Sequence, residues 1–465
     1  MINLFDILDR SHTGERITDE KQFDLRVWKK ASALARDYGV KYDPNYAIMI
    51  DDKMADACFE AAVELLSEVG VFNIGTQRVV KFEKEEILKG LSQMKDELIL
   101  GEGRDRFRLK HRNVDMHEPV KVMGGHLPCT DDVALKLYQA MAEVQSLDII
   151  EGFNFFGRYG GRQMAGVAHE ALAAKYEVSS IRKAITRAGR PGMHILFYPT
   201  SPNPAAMIAC LAPADGIRPT DAVAISPNPE LKIESNLLAV AAVATEYGAF
   251  INSDCTSILY AFGGGPEENA IIGTAQEIQV HLTYRCDYNN LANGIPIDAE
   301  AFSLPAVLWS RSLNAVAYAR NIKIPCVVYA SPGPEPNNPN RWWELAAQTM
   351  MAVSSGGHID IIRPIRPFRP NLLTPLEIEF CSEIANSMVK NKVSREKTND
   401  IIMKGLVPKY RAVYDTPTKD RYPLLKGNTF EELYNLDTLK PIKEYVESYH
   451  AAKKELTKLG IEFDW

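Results

Sequence analysis

The sequence lacks long hydrophobic segments: no stretch of about 18 consecutive apolar residues occurs anywhere in its 465 residues. Its N-terminus, MINLFDILDRSHTGERITDE, also lacks the cationic segment and apolar core that are typical of a secretory signal peptide. The sequence therefore predicts neither a membrane span nor a signal sequence, and the expected location is the cytoplasm.

An excess of positive charge is also missing. The formal net charge is −7, and the sequence contains no Lys/Arg run, no aromatic platform between basic residues and no Cys/His finger. Proteins that bind nucleic acid present a basic patch or one of these motifs. Nucleic-acid binding is therefore not predicted.

Close-spaced cysteine pairs are absent as well. The seven cysteines, an odd number, are scattered along the chain at wide intervals. This pattern argues against a disulfide framework and favours a reducing compartment. Most of the thiols are expected to be ordinary core residues, because free cysteine buries readily.

From about residue 120 onward, short apolar runs alternate with amphipathic, helix-like segments. Eight of these runs are predicted strands: KVMGG (121–125), DIIEGF (148–153), GMHILFY (192–198), DAVAIS (221–226), AFINSD (249–254), VHLTYRC (280–286), IKIPCVVYA (322–330) and HIDIIRP (358–364). Eight repeats of strand and helix are typical of an α/β fold, the (β/α)8 TIM barrel. The alternative is an open doubly wound sheet, although no G-x-G-x-x-G follows an early strand.

The regions on either side of this repeat are helical in character. Apolar residues recur at helical spacing in KMADACFEAAVELLSEVGV (53–71) and in PIKEYVESYHAAKKELTKLG (441–460). We therefore predict a helical N-terminal extension over residues 1–118, the barrel over 119–372 and a helical C-terminal extension over 373–465.

The ends of three consecutive predicted strands bring a carboxylate and two thiols towards one place. Asp254, Cys286 and Cys326 lie at or near these ends, and a TIM barrel has its active site at the C-terminal ends of its strands. Three such ligands with one open position suit a catalytic Zn²⁺ ion, which polarises a substrate oxygen. The alternative is that these residues are unrelated and that both thiols are buried core residues.

Aromatic and basic side chains are also concentrated near the predicted mouth of the barrel. The predicted substrate-binding residues are Phe155, Phe156, Tyr159, Phe197 and Arg363. Aromatic rings suit an aromatic substrate or a methylated ammonium group, and arginine suits a carboxylate. The alternative is ordinary loop packing, with the run RPIRPFRP (363–370) as a solvated loop.

Several segments resemble the monomethylamine:corrinoid methyltransferase family. They are FDILDRSHTGE, VGVFNIGTQRVVKFEKEEI, LILGEGRDRFRLKHR, LAAKYEVSSIRKAITRAGRPGM, ELKIESNLLAVAA and LYNLDTLKPIKEYVESYHAAKKELTKLGI, and the likeness runs from end to end. The resemblance implies a barrel that moves a methyl group from a small substrate to the cobalt of a partner corrinoid protein. It also implies a homo-oligomer. Because the chain has no D-x-H-x-x-G motif, the corrinoid is expected on a separate protein.

The chain departs from this family at the positions that act on the amine. The resemblance places the family's pyrrolysine at Leu196, a few residues after RPGM, and one family glutamate at about Ala224. A second family glutamate corresponds to Asp254. A glutamine of the seventh strand falls close to Cys326–Val328. The resemblance therefore implies a pyrrolysine-free member that retains one acid in shortened form.

Two cysteines near the same mouth make the chain similar to a different branch of corrinoid methyltransferases. This branch comprises the methanol-specific enzyme and the methyltransferase components of anaerobic O-demethylases, which use zinc. The similarity implies that a methoxyaromatic donor binds among the aromatics, with zinc on its ether oxygen, and passes its methyl group to Co(I). The predicted catalytic residues are Asp254 together with Tyr198, Tyr329 and His126 as proton donors. Arg363 is expected to hold a ring carboxylate.

Two other functions remain open. A pyrrolysine-free methyltransferase for an N-methylated or quaternary, betaine-type amine requires an aromatic cage and no zinc. A non-catalytic barrel that docks a corrinoid protein is the third possibility, and the polar mouth argues against it.

Overall fold

Eight parallel strands close into a barrel in the computed structural model, which describes residues 3–463 except 153, 156–157, 160–161, 164–166 and 199–202. The strands are β1 (Val122–Gly124), β2 (Ile149–Glu151), β3 (His194–Phe197), β4 (Ala222–Ile225), β5 (Phe250–Cys255), β6 (Tyr288–Leu291), β7 (Cys326–Ala330) and β8 (His358–Ile361). The sheet closes because β8 pairs with β1, and β1 pairs with β2. The predicted TIM barrel is confirmed, and the open doubly wound sheet is excluded.

Helices surround the barrel and extend the chain at both ends. They are α1 (Leu4–Thr13), α2 (Glu20–Asp37), α3 (Asp52–Val69), α4 (Lys84–Ser92), α5 (Asp131–Glu143), α6 (Val167–Arg187), α7 (Pro204–Cys210), α8 (Ser235–Tyr247), α9 (Pro266–Thr283), α10 (Pro305–Asn321), α11 (Pro339–Ser354), α12 (Pro375–Lys390), α13 (Arg395–Asp400), a π-helical turn (Ile401–Leu406), α14 (Val407–Tyr414), α15 (Thr418–Leu425), α16 (Phe430–Leu433) and α17 (Lys443–Lys458). Helices α5–α12 each follow one barrel strand, and α7 and α9–α12 begin with proline, whose fixed φ suits a first turn. None of the described helices combines the length and apolar character that a membrane crossing requires.

Helices that precede and follow the barrel strands in the sequence pack on the helices around the barrel. Helix α3 contacts α9 and α10, and α12 contacts α11. A fully buried, bidentate ion pair fixes the second contact, because Arg341 on α11 binds both carboxylate oxygens of Glu377 on α12 at 2.8 and 3.1 Å. These helices therefore support the barrel from outside.

The N-terminal end of the barrel is closed by a hairpin. Its two strands, Glu97–Leu100 and Phe107–Lys110, pair antiparallel over four residues each. The buried leucines Leu98, Leu100 and Leu109 form one hydrophobic cluster with inward-facing residues of the barrel strands. The hairpin thus fills the lower half of the barrel, so that the upper half is the place where a site can form.

Strand β5 shows how side chains divide between the interior and the helical layer. Successive side chains of a strand point to opposite faces. Ile251 and Cys255 belong to the hydrophobic core that the surrounding helices share. Asn252 and Asp254 therefore face the interior of the barrel.

The sixth strand was predicted in the wrong place. The segment VHLTYRC begins inside helix α9 and ends in the loop behind it, and the true strand, β6, lies immediately downstream. Its sequence, YNNL, is polar, and both asparagine side chains donate hydrogen bonds to buried acids. Asn289 donates to Glu277 at 2.6 Å, and Asn290 donates to Asp360 at 2.7 Å. A strand whose buried positions are hydrogen-bonded amides does not produce the apolar run that predicts a parallel strand.

Candidate active site

Three carboxyl groups meet in the upper barrel interior. Glu151 ends β2, Asp254 lies near the end of β5 and Asp360 lies on β8. Asn290, which pairs with Asp254 in the register of β5 and β6, reaches across the interior and donates to Asp360 Oδ2 at 2.7 Å. The strands thus bring together three acids that are far apart in the sequence, close enough for the charge of one to shift the pKa of another.

Glu151 and Asp360 form a carboxyl–carboxylate pair. Burial is the largest cause that raises the pKa of both groups, and the charge of Asp360 raises the pKa of Glu151 further. The hydrogen bond between them raises the pKa of Glu151 and lowers that of Asp360. Two buried carboxylates in contact cannot both ionise. At neutral pH we therefore assign the shared proton to Glu151 and the negative charge to Asp360.

Asp254 has an oxygen that is open to a ligand. Burial, followed by repulsion from Asp360, raises the pKa of Asp254 to about 7, against the opposing effects of the Arg363 charge and of a Tyr329 hydrogen bond. Its Oδ1 atom is buried and has no hydrogen-bond partner among the described residues. A buried acceptor without a donor is costly, so a ligand that donates a hydrogen bond there is favoured.

His126 and Tyr198 lie side by side at the C-terminal ends of β1 and β3 and line the barrel interior near the acids. Their ring centroids are 4.6 Å apart, and His126 Nδ1 lies 3.1 Å from the backbone oxygen of Gly152. Burial, together with the charge of Arg363, lowers the pKa of His126 to about 3, so the imidazole is neutral. The Tyr198 hydroxyl is buried and lacks a partner among the described residues. These two side chains offer polar atoms to a substrate without adding positive charge.

Five of the predicted site residues are brought together by the barrel. Asp254, Tyr198, Tyr329, His126 and Arg363 interact electrostatically with one another or with the acidic group. Each of these residues lies on a barrel strand or within two residues of its end.

The predicted aromatic contacts are only partly described. Phe197 was predicted to bind substrate, and this is wrong, because its ring lies in the core shared with the helices. Leu196 and Tyr198, its neighbours on either side, face the interior instead, as strand alternation requires. Phe155 and Tyr159 lie in two short strands, Asn154–Phe155 and Arg158–Tyr159, whose side chains lie outside the described part of the structure. Phe156 lies outside the described residues.

The predicted zinc ligands are not brought together. Asp254 faces the interior, whereas Cys286 and Cys326 are buried in the core shared with the helices. Cys326 begins β7, where Val327 and Tyr329 take the inward positions, and Cys286 precedes β6 at the N-terminal end of the barrel. Burial also raises the pKa of both thiols, which keeps them protonated. No described group of three or more His, Cys, Asp or Glu side chains is arranged to hold a metal ion.

Replacing these thiols is therefore expected to leave catalysis intact. Cys286→Ala and Cys326→Ala should each retain kcat/KM within about twofold while lowering the free energy of unfolding by about 1 kcal/mol, for the lost burial. Steady-state kinetics and urea denaturation measure the two effects on the same samples. A loss of activity without a loss of stability would contradict this expectation and would show that the thiols take part in catalysis.

Sequence reasoning missed Glu151 and Asp360. Both were visible as single acids inside the apolar runs DIIEGF and HIDIIRP. A charge in the middle of a strand that is covered on both faces must be paired or functional. The prediction considered the residues after each strand and passed over those within it.

Two positions that the sequence resemblance singled out also line the interior. Leu196, which takes the place of pyrrolysine in that resemblance, is fully buried and packs in the interior cluster with Ala222 and Ala224. Ala224 takes the place of a family glutamate and pairs in register with Asn252. The interior therefore has apolar side chains at these two positions and acids at Glu151, Asp254 and Asp360.

Comparisons of sequence identify relatives along the whole chain. Residues 2–461 match the profile of a family described as monomethylamine methyltransferase MtmB. The chain is 27% identical over 471 residues to monomethylamine methyltransferase MtmB2 of Methanosarcina acetivorans, a match that covers 99% of this chain and 98% of the relative. It is 26% identical over 473 residues to MtmB of Methanosarcina mazei, with the same coverage of both chains.

The fold comparison agrees. The crystal structure of the Methanosarcina barkeri monomethylamine methyltransferase MtmB superposes with a TM-score of 0.91 at 26% identity, covering 99% of this chain and 98% of that one. The hydroxylamine complex of MtmB gives the same values. The family expected from the sequence is thus confirmed: sequence and fold agree from one end to the other, and the chain belongs to the monomethylamine methyltransferase MtmB family.

Proposed function

We propose that this methyltransferase takes a methyl group from an N-methylated ammonium compound of the monomethylamine class. The acceptor in this proposal is the Co(I) centre of a corrinoid carried by a separate protein. Two observations support it: the relatives that match the whole chain are monomethylamine methyltransferases, and the barrel interior is acidic.

A methoxyaromatic donor, the substrate predicted from the cysteines and aromatic residues, is wrong for this chain. The relatives matched from end to end act, by name, on monomethylamine. That prediction also assumed that Cys286, Cys326 and Phe197 line the active site, whereas all three face the helices around the barrel. The methylated-amine alternative therefore replaces it.

The observation that carries the proposal is the group of three acids in one buried space. Asp360 carries the charge of its pair with Glu151, and Asp254 ionises near neutral pH. An ammonium ion placed there offsets this negative charge and donates hydrogen bonds to the unpartnered Asp254 Oδ1. Neutral His126 contributes no competing positive charge. A neutral aryl ether would leave the buried charge uncompensated.

The acids also suit the chemistry of the leaving group. When the carbon–nitrogen bond of a methylammonium ion breaks, its electron pair stays on nitrogen and a neutral amine departs. The same step from an uncharged amine would expel an amide anion, a far poorer leaving group. A carboxylate beside the nitrogen raises the pKa of the ammonium group, so the proton stays on nitrogen until the bond breaks. Asp254 has a buried oxygen without a described donor that is available for this role.

The proposal is tested by methyl transfer to free cob(I)alamin under anaerobic conditions. Monomethylamine, dimethylamine, trimethylamine and tetramethylammonium serve as donors, and 4-methoxybenzoate serves as the ether control. We expect the cob(I)alamin absorbance to be replaced by that of methylcobalamin with at least one ammonium donor and not with the ether. Transfer from the ether alone, or from no donor at all, would contradict the proposal.

A further inference from the structure

The three arginines of the loop after β8, in RPIRPFRP, differ in their partners. Arg366 forms an ion pair with Glu300 at 3.0 Å, and Arg369 forms one with Glu335 at 2.7 Å. Both glutamates are almost completely buried. Arg363, the arginine closest to the barrel interior, forms no ion pair with any described acidic residue. Its own contacts are with backbone oxygens only.

Most of the hydrogen-bonding capacity of Arg363 is unused within the described part of the structure. Nη1 donates to the backbone oxygens of Pro364 and Ile365, at 3.2 and 3.4 Å. A guanidinium group has five N–H donors, so Nε and Nη2 keep theirs without a partner among the described residues. The segments 153–167 and 199–202, parts of which lie outside the described residues, contain no Asp or Glu in their sequence. No acid of those segments is available to neutralise Arg363.

The backbone that carries Arg363 is fixed in place. The Ser331 hydroxyl donates to the backbone oxygen of Arg363 at 2.7 Å. On either side of Arg363, the Ile362 amide donates to Ala330 at 3.2 Å and the Ile365 amide donates to Pro332 at 3.1 Å. These bonds tie the start of the loop to the end of β7. An anchored backbone reduces the entropy that a ligand must remove when it binds.

The Arg363 charge acts on the acidic group. It opposes the rise in the pKa of Asp254, Asp360 and Tyr329, and it contributes to the low pKa of His126. The half-buried guanidinium therefore lies beside the same space as the acids, at its rim. The negative charge of Asp254 and Asp360 thus lies in the barrel interior, and the positive charge of Arg363 lies to one side of it, towards the C-terminal end of the barrel.

We propose that Arg363 binds a carboxylate group of the methyl donor, so that the preferred donor is a zwitterion, an N-methylated amino acid. The inference rests on the proposed function, because the ligand whose ammonium group binds the acids is the same one whose carboxylate would bind Arg363. The ammonium end lies against Asp254 and Asp360, and the carboxylate receives two parallel hydrogen bonds from the free edge of Arg363. Monomethylamine would leave Arg363 without an anion and would add a like charge to its surroundings.

The test compares two donors that differ by a carboxylate. N-Methylglycine and monomethylamine are assayed with free cob(I)alamin and the full chain, and kcat and KM are measured separately. In Arg363→Met we expect kcat/KM for N-methylglycine to fall about 10- to 30-fold, mainly through KM, as for a lost charged hydrogen bond. The value for monomethylamine should stay constant or rise. Arg363→Lys should recover part of the loss, and Arg366→Met is the matched control that should change neither donor.

The outcomes separate this inference from the proposed function. If the wild-type protein uses monomethylamine as well as or better than N-methylglycine, the inference is wrong and the proposed function stands. If neither these donors nor the other methylated amines transfer a methyl group, both fail. An equal loss for both donors in Arg363→Met would also overturn the inference, since it would show a general role in the active site. The wild-type comparison decides even if the variant does not fold.

Discussion

Asp254→Asn is expected to lower kcat/KM for a methylated ammonium donor about 10²- to 10³-fold, the cost of leaving a buried charge without its partner. Asp254 has a buried oxygen that lacks a donor among the described residues, and in the proposed reaction its carboxylate holds the proton on the leaving nitrogen. Asparagine keeps the shape and one oxygen but removes the charge. Methyl transfer to free cob(I)alamin measures the loss.

Glu277→Gln is the matched control for this substitution. Glu277 is also a buried carboxyl with a raised pKa, but it lies in the helical layer, where Asn289 and Asn293 bind its two oxygens at 2.6 and 2.5 Å. Its replacement should leave kcat/KM within about threefold, because no charge in the barrel interior is lost. An equal loss in both variants would mean that any buried carboxyl matters for folding and that Asp254 has no special role.

The same residue sets the expected pH dependence. The pKa of Asp254 is raised from 3.8 to about 7 in the folded chain, so the activity that requires its carboxylate should rise with pH through about 7. The folded state binds this proton more tightly than the unfolded chain does, so the free energy of unfolding falls as the pH rises from about 4 to about 7. Asp254→Asn removes that cost. At pH 8 the variant should be more stable than the wild type, by on the order of 1–3 kcal/mol, while being far less active.

Asp360→Asn is expected to lower kcat/KM about 10²-fold, whereas Glu151→Gln should change it by less than about fivefold. The two residues form one pair, but Asp360 carries the charge and Glu151 carries the proton. Glutamine reproduces a protonated Glu151, because its amide can donate to Asp360 and its oxygen can accept the backbone N–H of His126. Asparagine at 360 removes the charge that attracts the ammonium group.

The same assay, run with both variants at pH 7.5, checks this asymmetry. Denaturation curves at that pH show whether either variant has lost its fold. Equal losses would indicate that the proton is shared evenly. A larger loss in Glu151→Gln would reverse the assignment of charge within the pair.

The barrel was predictable because seven of its eight strands are apolar runs between helical segments. Such runs arise wherever a parallel strand is covered on both faces, as in HILF and AVAI of β3 and β4. Strand β6 was missed because its two central residues are amides, one bound to Glu277 in the helical layer and one bound to Asp360 in the interior. The sequence shows the polarity of Asn289 and Asn290 but not the partners that make their burial possible.

The site was predicted in part, and the errors come from strand boundaries that the sequence does not give to a single residue. Asp254 was found because it ends a strand, and Tyr198, Tyr329, His126 and Arg363 were found near other strand ends. Phe197 ends β3 but faces outwards, whereas Cys326 begins β7 and Cys286 precedes β6, at the opposite end of the barrel from the acids. Moving one residue along a strand reverses the face, so strand boundaries must be correct to a single residue before ligands can be chosen.

The hairpin of residues 97–110 has a consequence for the order of events in turnover. Leu98, Leu100 and Leu109 fill the base of the barrel, so a ligand cannot reach the acids from the N-terminal end and has to approach them from the C-terminal end. In the proposed reaction the methyl donor, the departing amine and the cobalt of the partner protein therefore all use the same entrance, at the C-terminal end of the barrel. The donor has to enter before the corrinoid protein binds over that entrance, and the amine leaves after the corrinoid protein dissociates. In this proposed reaction turnover is sequential, and we expect an excess of the partner protein to slow it by blocking entry of the donor.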